Sequence, residues 1–193
     1  MIREAVITTV SSSGAVHITP LGYRVRDGVV VLAPFVPSRT LENLRLTPRA
    51  VLNFVDDVRV IAGCLTGRRT WPTEASTKVG VPRLRAALAH WELEVSAVHE
   101  HRERPEFLCR VVEETMHRPF LGFNRAQAAV VELAILVSRL DWLAPSNVAS
   151  ELTYLQRAVD KTAGDDEREA WAWLVAAVRS HPRHANATSV TPA

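Results

Sequence analysis

PFVPSRTLENLRLTPRAVLNFVDD, residues 34–57, reads as a turn, a short helix and a strand in succession. Ser38 is a good N-cap for a helix starting at Arg39; Leu41 and Leu44 give that helix an apolar side, and Thr47-Pro48 stops it. The first turn of a helix leaves backbone N–H groups unpaired and carries partial positive charge. Ser38, Arg39 and Thr40 add donors at that same end, which makes a seat for a phosphate. Asn43, one turn along from Arg39, is spaced to reach the next polar group of the same ligand. An ordinary capped surface helix accounts for the same residues, and the two readings stand side by side here.

Upstream of this stretch the chain is β-branched and punctuated by turns. Residues 4–10 (EAVITTV) predict a strand, SSSG at 11–14 a turn, and 15–20 (AVHITP) the return strand of a hairpin. Residues 22–26 (GYRVR) continue extended, Asp27-Gly28 signals a tight turn, and 29–33 (VVVLA) is an apolar strand. Downstream, 50–55 (AVLNFV) and 58–65 (VRVIAGCL) predict two more strands around an Asp56-Asp57 turn. Short strands with one inserted helix fit a closed or half-open β-barrel, whereas a doubly wound sheet would need a helix after nearly every strand.

Residues 66–82, rich in Gly, Thr, Pro and Arg, predict a long loop, functional or mobile, followed by a helical turn over 84–88. A second hairpin, 91–99 (WELEVSAVH) and 107–116 (FLCRVVEETM), completes the barrel, its first strand half-exposed by alternation. From Asn124 the pattern becomes helical. Asn124, Ser146 and Asp165 or Asp166 are the expected caps of three helices, the last stopping near Pro182. The expected class is α+β, mainly β: a barrel over 1–122, a helical subdomain over 123–181 and a disordered tail over 182–193. Asn186-Ala187-Thr188 in that tail matches a glycosylation acceptor, which carries no weight without a secretory signal.

The 193 residues are 47% apolar and 23% charged, the balance of a globular protein, and a net charge of +2 gives no footprint for nucleic acid. Cys64 and Cys109 lie far apart and read as buried thiols. The N-terminus is too charged for a signal peptide, and no apolar run nears the roughly 18 residues of a membrane helix; the expectation is a cytoplasmic protein without a membrane partner. His99 and His101 flank Glu100, yet no further ligand completes a metal set, so a solvated turn is the better reading. GxSxG, HExxH, GxGxxG and GxxxxGK[ST] are all missing, which argues against the hydrolases and nucleotide-binding folds that those motifs mark. Glu132 reads as a helix-surface charge or a carboxylate in a cleft. Arg118 and Arg125 bracket PFLGFN and have no local explanation, so a ligand or a partner subunit is open for both. Trp142, Trp171 and Trp173 read as core or interface anchors.

Three blocks, EAVITTVSSSGAVHITPLGYRV, PFVPSRTLENLRLTPRAVLNFVDD and PFLGFNRAQAAVVELAILVSRL, resemble the corresponding segments of the DUF447 family of FMN-binding split-barrel proteins. The resemblance implies a flavin-reductase-like split β-barrel homodimer with FMN at the subunit interface. It places the 5′-phosphate on Ser38, Arg39 and Thr40, with Asn43 supporting the ribityl chain or the phosphate. Pro20, Leu21 and Gly22 would pass against the isoalloxazine, where a glycine permits close backbone approach. Asn53 would reach the ribityl or ring edge, and Arg118 and Arg125 would enter from the other subunit. No acid or base for the flavin is identified. The expected activity is hydride transfer from a nicotinamide-like donor to an unidentified acceptor, with a pterin-type link to one-carbon metabolism. A non-catalytic flavin-binding module for storage or sensing is the alternative.

Overall fold

The computed structural model describes residues 1–185 and divides into two compact units. One comprises Met1–Asp56 with Arg69–Phe120, the other Asp57–Arg68 with the chain from Leu121 onward. The acceptor match at Asn186 and most of the tail expected to be disordered lie outside the described residues.

The first unit contains, in chain order, β1 (Arg3–Val10), β2 (Val16–Arg26), β3 (Val29–Leu32), α1 (Arg39–Leu46) and β4 (Arg49–Phe54). After α2 (Arg59–Leu65), which belongs to the other unit, come β5 (Thr73–Glu74), β6 (Arg83–Leu84), β7 (Ala89–His99) and β8 (Glu106–Met116). Six strands close a barrel in the order β1-β2-β3-β8-β7-β4, all neighbours antiparallel, while β5 and β6 form a separate ribbon. Two register shifts in the β7–β8 hairpin, between Glu92 and Leu93 and between Val95 and Ala97, bend this long pair.

The segments expected as separate strands over 15–20 and 22–26 are one strand. β3 pairs with β2 over Tyr23–Arg26, so Pro20, which cannot donate, lies where β2 pairs with β1 alone. The helical turn expected over 84–88 is instead β6 followed by a turn. Ile7, Leu32, Leu52, Leu93 and Phe107 fill the core, and Leu41 and Leu44 of α1 pack into the same cluster. Each such leucine contributes about 2 kcal/mol by leaving water. That packing fixes α1, and with it the turn at residues 34–38.

The second unit holds α2, α3 (Arg125–Val137), α4 (Pro145–Thr162) and α5 (Asp165–Ser180). The strand expected over 58–65 is the helix α2. Its apolar run has no decisive period, and the Asp57 carboxylate tips it by accepting the Arg59 N–H at 3.0 Å. That carboxylate also takes a bidentate fork from the Arg59 side chain, Nε–Oδ1 2.9 Å and Nη2–Oδ2 2.8 Å. Asn124 caps α3 as expected, its Oδ1 accepting from the N–H groups of Ala126 (2.8 Å) and Gln127 (3.2 Å). Ser146 is not a cap: Pro145 already stands at the first position of α4. Asp165 and Asp166 lie in the first turn of α5 and Gly164 is its cap residue. Residues 182–185, expected in the disordered tail, form a turn in which His184 is buried, its Nε2 donating to the Leu140 carbonyl at 2.7 Å. Trp171 is buried and donates to Gln156, Trp173 lies under Arg68, and Trp142 is exposed. Among the described residues no helix is long and apolar enough to cross a membrane.

Candidate anion-binding site at the start of α1

Ser38 adopts an extended backbone and its Oγ accepts the Leu41 N–H at 3.3 Å, the cap that the sequence predicts. Thr40 and Asn43 point inward and are buried, whereas Arg39 is exposed. The Asn43 amide donates to Thr9 Oγ1 at 2.9 Å, which ties the helix to β1. Opposite Thr9 on β2 stands His17, half-buried. Burial, then the charges of Arg39 and Arg69, hold the His17 imidazole below its ordinary pKa. Both of the charges that bear on it are positive. Neither guanidinium has an ion-pair or hydrogen-bond partner among the described residues. Two unpaired cations, an imidazole able to become a third and a capped helix start form an arrangement that lacks one thing, an anion.

The loop before α1 is held in place by the far hairpin. Arg104 donates from Nε (3.1 Å) and Nη2 (2.8 Å) to the Ala33 carbonyl and lies over the Phe35 ring, and the Val36 N–H meets the Glu103 carbonyl at 2.9 Å. His101 belongs to that hairpin turn, its Nδ1 accepting from the Glu103 and Arg104 N–H groups. Among the described residues no group of three or more His, Cys, Asp or Glu side chains is arranged to hold a metal ion.

The remaining residues singled out by the sequence sit elsewhere. Pro20, Leu21 and Gly22 lie half-buried on β2, opposite Val6, Ala5 and Glu4. A Cβ at Gly22 would stand 3.0 Å from Ile2 Cγ2 and 3.4 Å from Glu4 Oε1, so crowding within the chain already favours glycine there. Asn53 is fully buried and engaged at both ends. Its amide nitrogen donates towards Val6 O (3.1 Å), Val51 O (3.2 Å) and Thr8 Oγ1 (3.3 Å), and its oxygen accepts the Leu84 N–H at 2.8 Å. Arg118 donates to the Ala86 carbonyl at 2.9 Å and lies 3.7 Å from Asp56. Arg125 is exposed at the first position of α3, in the helical unit. Glu132 is exposed on α3. Cys64 and Cys109 are buried, and burial pushes the Cys109 thiol up to about 12.

Sequence reasoning missed two features. His17 and Arg69 gave no motif, because a histidine in an alternating strand and an arginine in a loop signal nothing alone. The segment 66–82, read as a functional or mobile loop, is pinned together with the start of 84–88 by buried polar groups. Thr8 Oγ1 donates to Pro82 O at 2.7 Å, Asn53 receives Leu84, and Glu92 gathers the N–H groups of Thr77 (2.7 Å), Lys78 (2.7 Å) and Val79 (2.9 Å). Burial pushes the Glu92 carboxyl up, but those N–H groups and the Thr77 hydroxyl outweigh it and hold the group at about 2.

The closed six-stranded antiparallel barrel with α1 packed into its core is the fold of FMN-binding, flavin-reductase-like split-barrel proteins. The model of the DUF447 N-terminal domain, described as a protein of unknown function, matches residues 3–118, and that of the C-terminal domain matches residues 124–176. The chain belongs to the DUF447 family. An FMN-bound DUF447 protein from Methanosarcina mazei superposes with a TM-score of 0.80 at 17% identity, covering 91% of this chain and 94% of that one. The 2-nitrobenzoate 2-nitroreductase of Pseudomonas fluorescens gives a TM-score of 0.51 at 21% identity, over 59% of this chain and 64% of that one. An FMN-binding protein from Thermus thermophilus gives 0.52 at 21% identity, over 59% and 71%. No curated protein matches the chain.

Proposed function

We propose that the barrel unit binds FMN with its phosphate at the start of α1, held by Ser38, Arg39, Thr40, Arg69 and His17. The observation that carries this is the pair of unpaired arginines whose charges bear on a half-buried histidine, one of them at a capped helix start. A dianionic phosphate would satisfy both guanidinium groups and the first-turn N–H groups together. Membership of a family with an FMN-bound structure supports the choice of ligand. Asn43, tied to Thr9, positions the helix, and Pro20, Leu21 and Gly22 offer a half-buried strand surface for a flat ring. Arg118 and Arg125 are assigned to the same ligand from a second copy of the chain, which makes the working form a homodimer. FMN, when bound, supplies hydride and electron transfer. We take the protein to be a reductase with a nicotinamide donor and an acceptor that includes the pterin class.

Comparing FMN with riboflavin tests the seat directly. FMN should bind at least tenfold more tightly, because only FMN carries the phosphate. Equal affinities would move the phosphate away from α1. Bleaching of the bound flavin by NADH or NADPH above the free-flavin rate separates a reductase from a storage or sensing module.

A further inference from the structure

On the outer face of β7, away from the cluster around α1, three titratable groups form a chain. Glu92 is fully buried, His90 is 3% exposed, and His117, just past the end of β8, is exposed. His90 Nε2 lies 3.4 Å from Glu92 Oε1, and His90 Nδ1 lies 2.9 Å from His117 Nε2. The two imidazole planes are 2° apart with centroids separated by 5.1 Å. A 2.9 Å contact between ring nitrogens plus the two ring radii accounts for that separation, so the rings meet edge to edge in nearly one plane. Such a contact is an in-plane N–H···N hydrogen bond.

The buried carboxylate sets the direction of the chain. Glu92, an ionised acceptor, requires the hydrogen of His90 on Nε2, which leaves His90 Nδ1 to accept. His117 must then donate from Nε2, so its Nδ1 carries the bare lone pair. That nitrogen has no partner among the described residues. The groups that bear on His117 are Arg83, His90 and Glu74; Arg83 pairs with Glu74, Glu92 stands behind His90, and Arg118, next in the chain, lies beside Asp56. Burial, then Arg83 and His90, hold the His117 imidazole below its usual pKa, against a smaller opposing pull from Glu74. It is therefore biased towards the neutral form, beside guanidinium groups that pair with Glu74 and Asp56.

We infer that Glu92, His90 and His117 form a proton relay whose outlet, His117 Nδ1, exchanges one proton with a small ligand bearing an acidic oxygen. In the forward sense an O–H bond of the ligand breaks, an Nδ1–H bond forms, and the nearby arginines hold the resulting oxyanion. The positive charge on His117 is shared through the N–H···N bond with His90 and balanced by Glu92, and water takes the proton away. His117 is the residue that meets the ligand; His90 and Glu92 position it. Use of the relay in a flavin reaction rests on the function proposed above, but its existence does not.

The test is long-range proton–nitrogen NMR of the imidazole rings in the full-length, flavin-free chain across the pH range from acid to mildly alkaline. At neutral pH His117 should carry its hydrogen on Nε2 and leave Nδ1 bare. Glu92→Gln should lower the His117 pKa further. Benzoate, as a probe of the oxyanion that the step leaves, should shift the His117 resonances in the wild type. A His117 with its hydrogen on Nδ1 overturns the relay, and this readout needs no variant. A His117 titration identical in wild type and in His90→Asn also overturns it. His117 resonances indifferent to benzoate overturn the ligand assignment. Since flavin is not present, failure of FMN binding affects none of these results.

Discussion

The start of α1 and the outer face of β4 and β7 are both rich in polar side chains, yet they are built on opposite terms. Around Asn53 and Glu92 each buried group named has its partners within the barrel unit, and the bonds draw residues 77–84 onto the sheet. Around His17 the two arginines lack partners among the described residues, and both act on the half-buried imidazole. A buried polar group that is fully bonded is part of the framework, whereas clustered like charges persist at a cost that a ligand relieves. The contrast separates residues that hold the fold from residues that we propose to bind an anion.

Removing Glu92 should produce the largest effect. Glu92→Ala leaves three N–H groups and a hydroxyl without their acceptor and should cost about 3 kcal/mol or more in denaturant unfolding. The same carboxyl fixes an acid limb. Its pKa is about 2 in the folded protein against 4.5 ordinarily, so its contribution is complete above 4.5 and is lost as pH falls from there towards 2. That loss totals roughly 3 kcal/mol, and Glu92→Gln should remove this part of the slope. A Glu92→Ala protein as stable as wild type would erase the distinction between the two regions.

Asn53→Ala should cost roughly 2 kcal/mol of stability and leave the FMN affinity of the folded protein within twofold. A large fall in affinity with stability intact would return Asn53 to the ligand, where family resemblance puts it. Arg39→Ala should do the reverse. FMN binding by calorimetry should weaken by about 1.5–3 kcal/mol, about tenfold to a hundredfold or somewhat more, with stability changed by no more than about 0.5 kcal/mol. The smallest effect belongs to His17. A phosphate raises an imidazole pKa that burial and two arginines depress, so FMN affinity should rise severalfold as pH falls through the range where the imidazole of the complex takes up its proton. His17→Gln should flatten that rise; an unchanged profile would leave the seat to the arginines.

How far the sequence could be read depends on the distance over which each signal acts. Ser38 and Asn124 were legible as caps because a cap acts within three residues of itself. Glu92 was read as one charge in an alternating, half-exposed strand, and alternation does place it on the outer face. Nothing local says that residues 77–79 cover that face. Family resemblance alone places Asn53 at a ligand, and its partners Val6, Thr8 and Leu84, remote in sequence, are visible only in the fold. Residues 58–65 failed differently: a short apolar run suits strand or helix, and β-branched Val60 and Ile61 favoured the wrong one until Asp57 was seen to hold Arg59.

What this sequence determined by itself was the set of local elements: the turns, most strands, the capped helix at Arg39 and a mainly β chain with a helical end. Tertiary structure alone decided which polar groups are bonded to one another and which are left facing a ligand. Hydrogen-bond satisfaction and charge pairing are settled between residues tens of positions apart, and only the closing of the barrel brings those residues into reach.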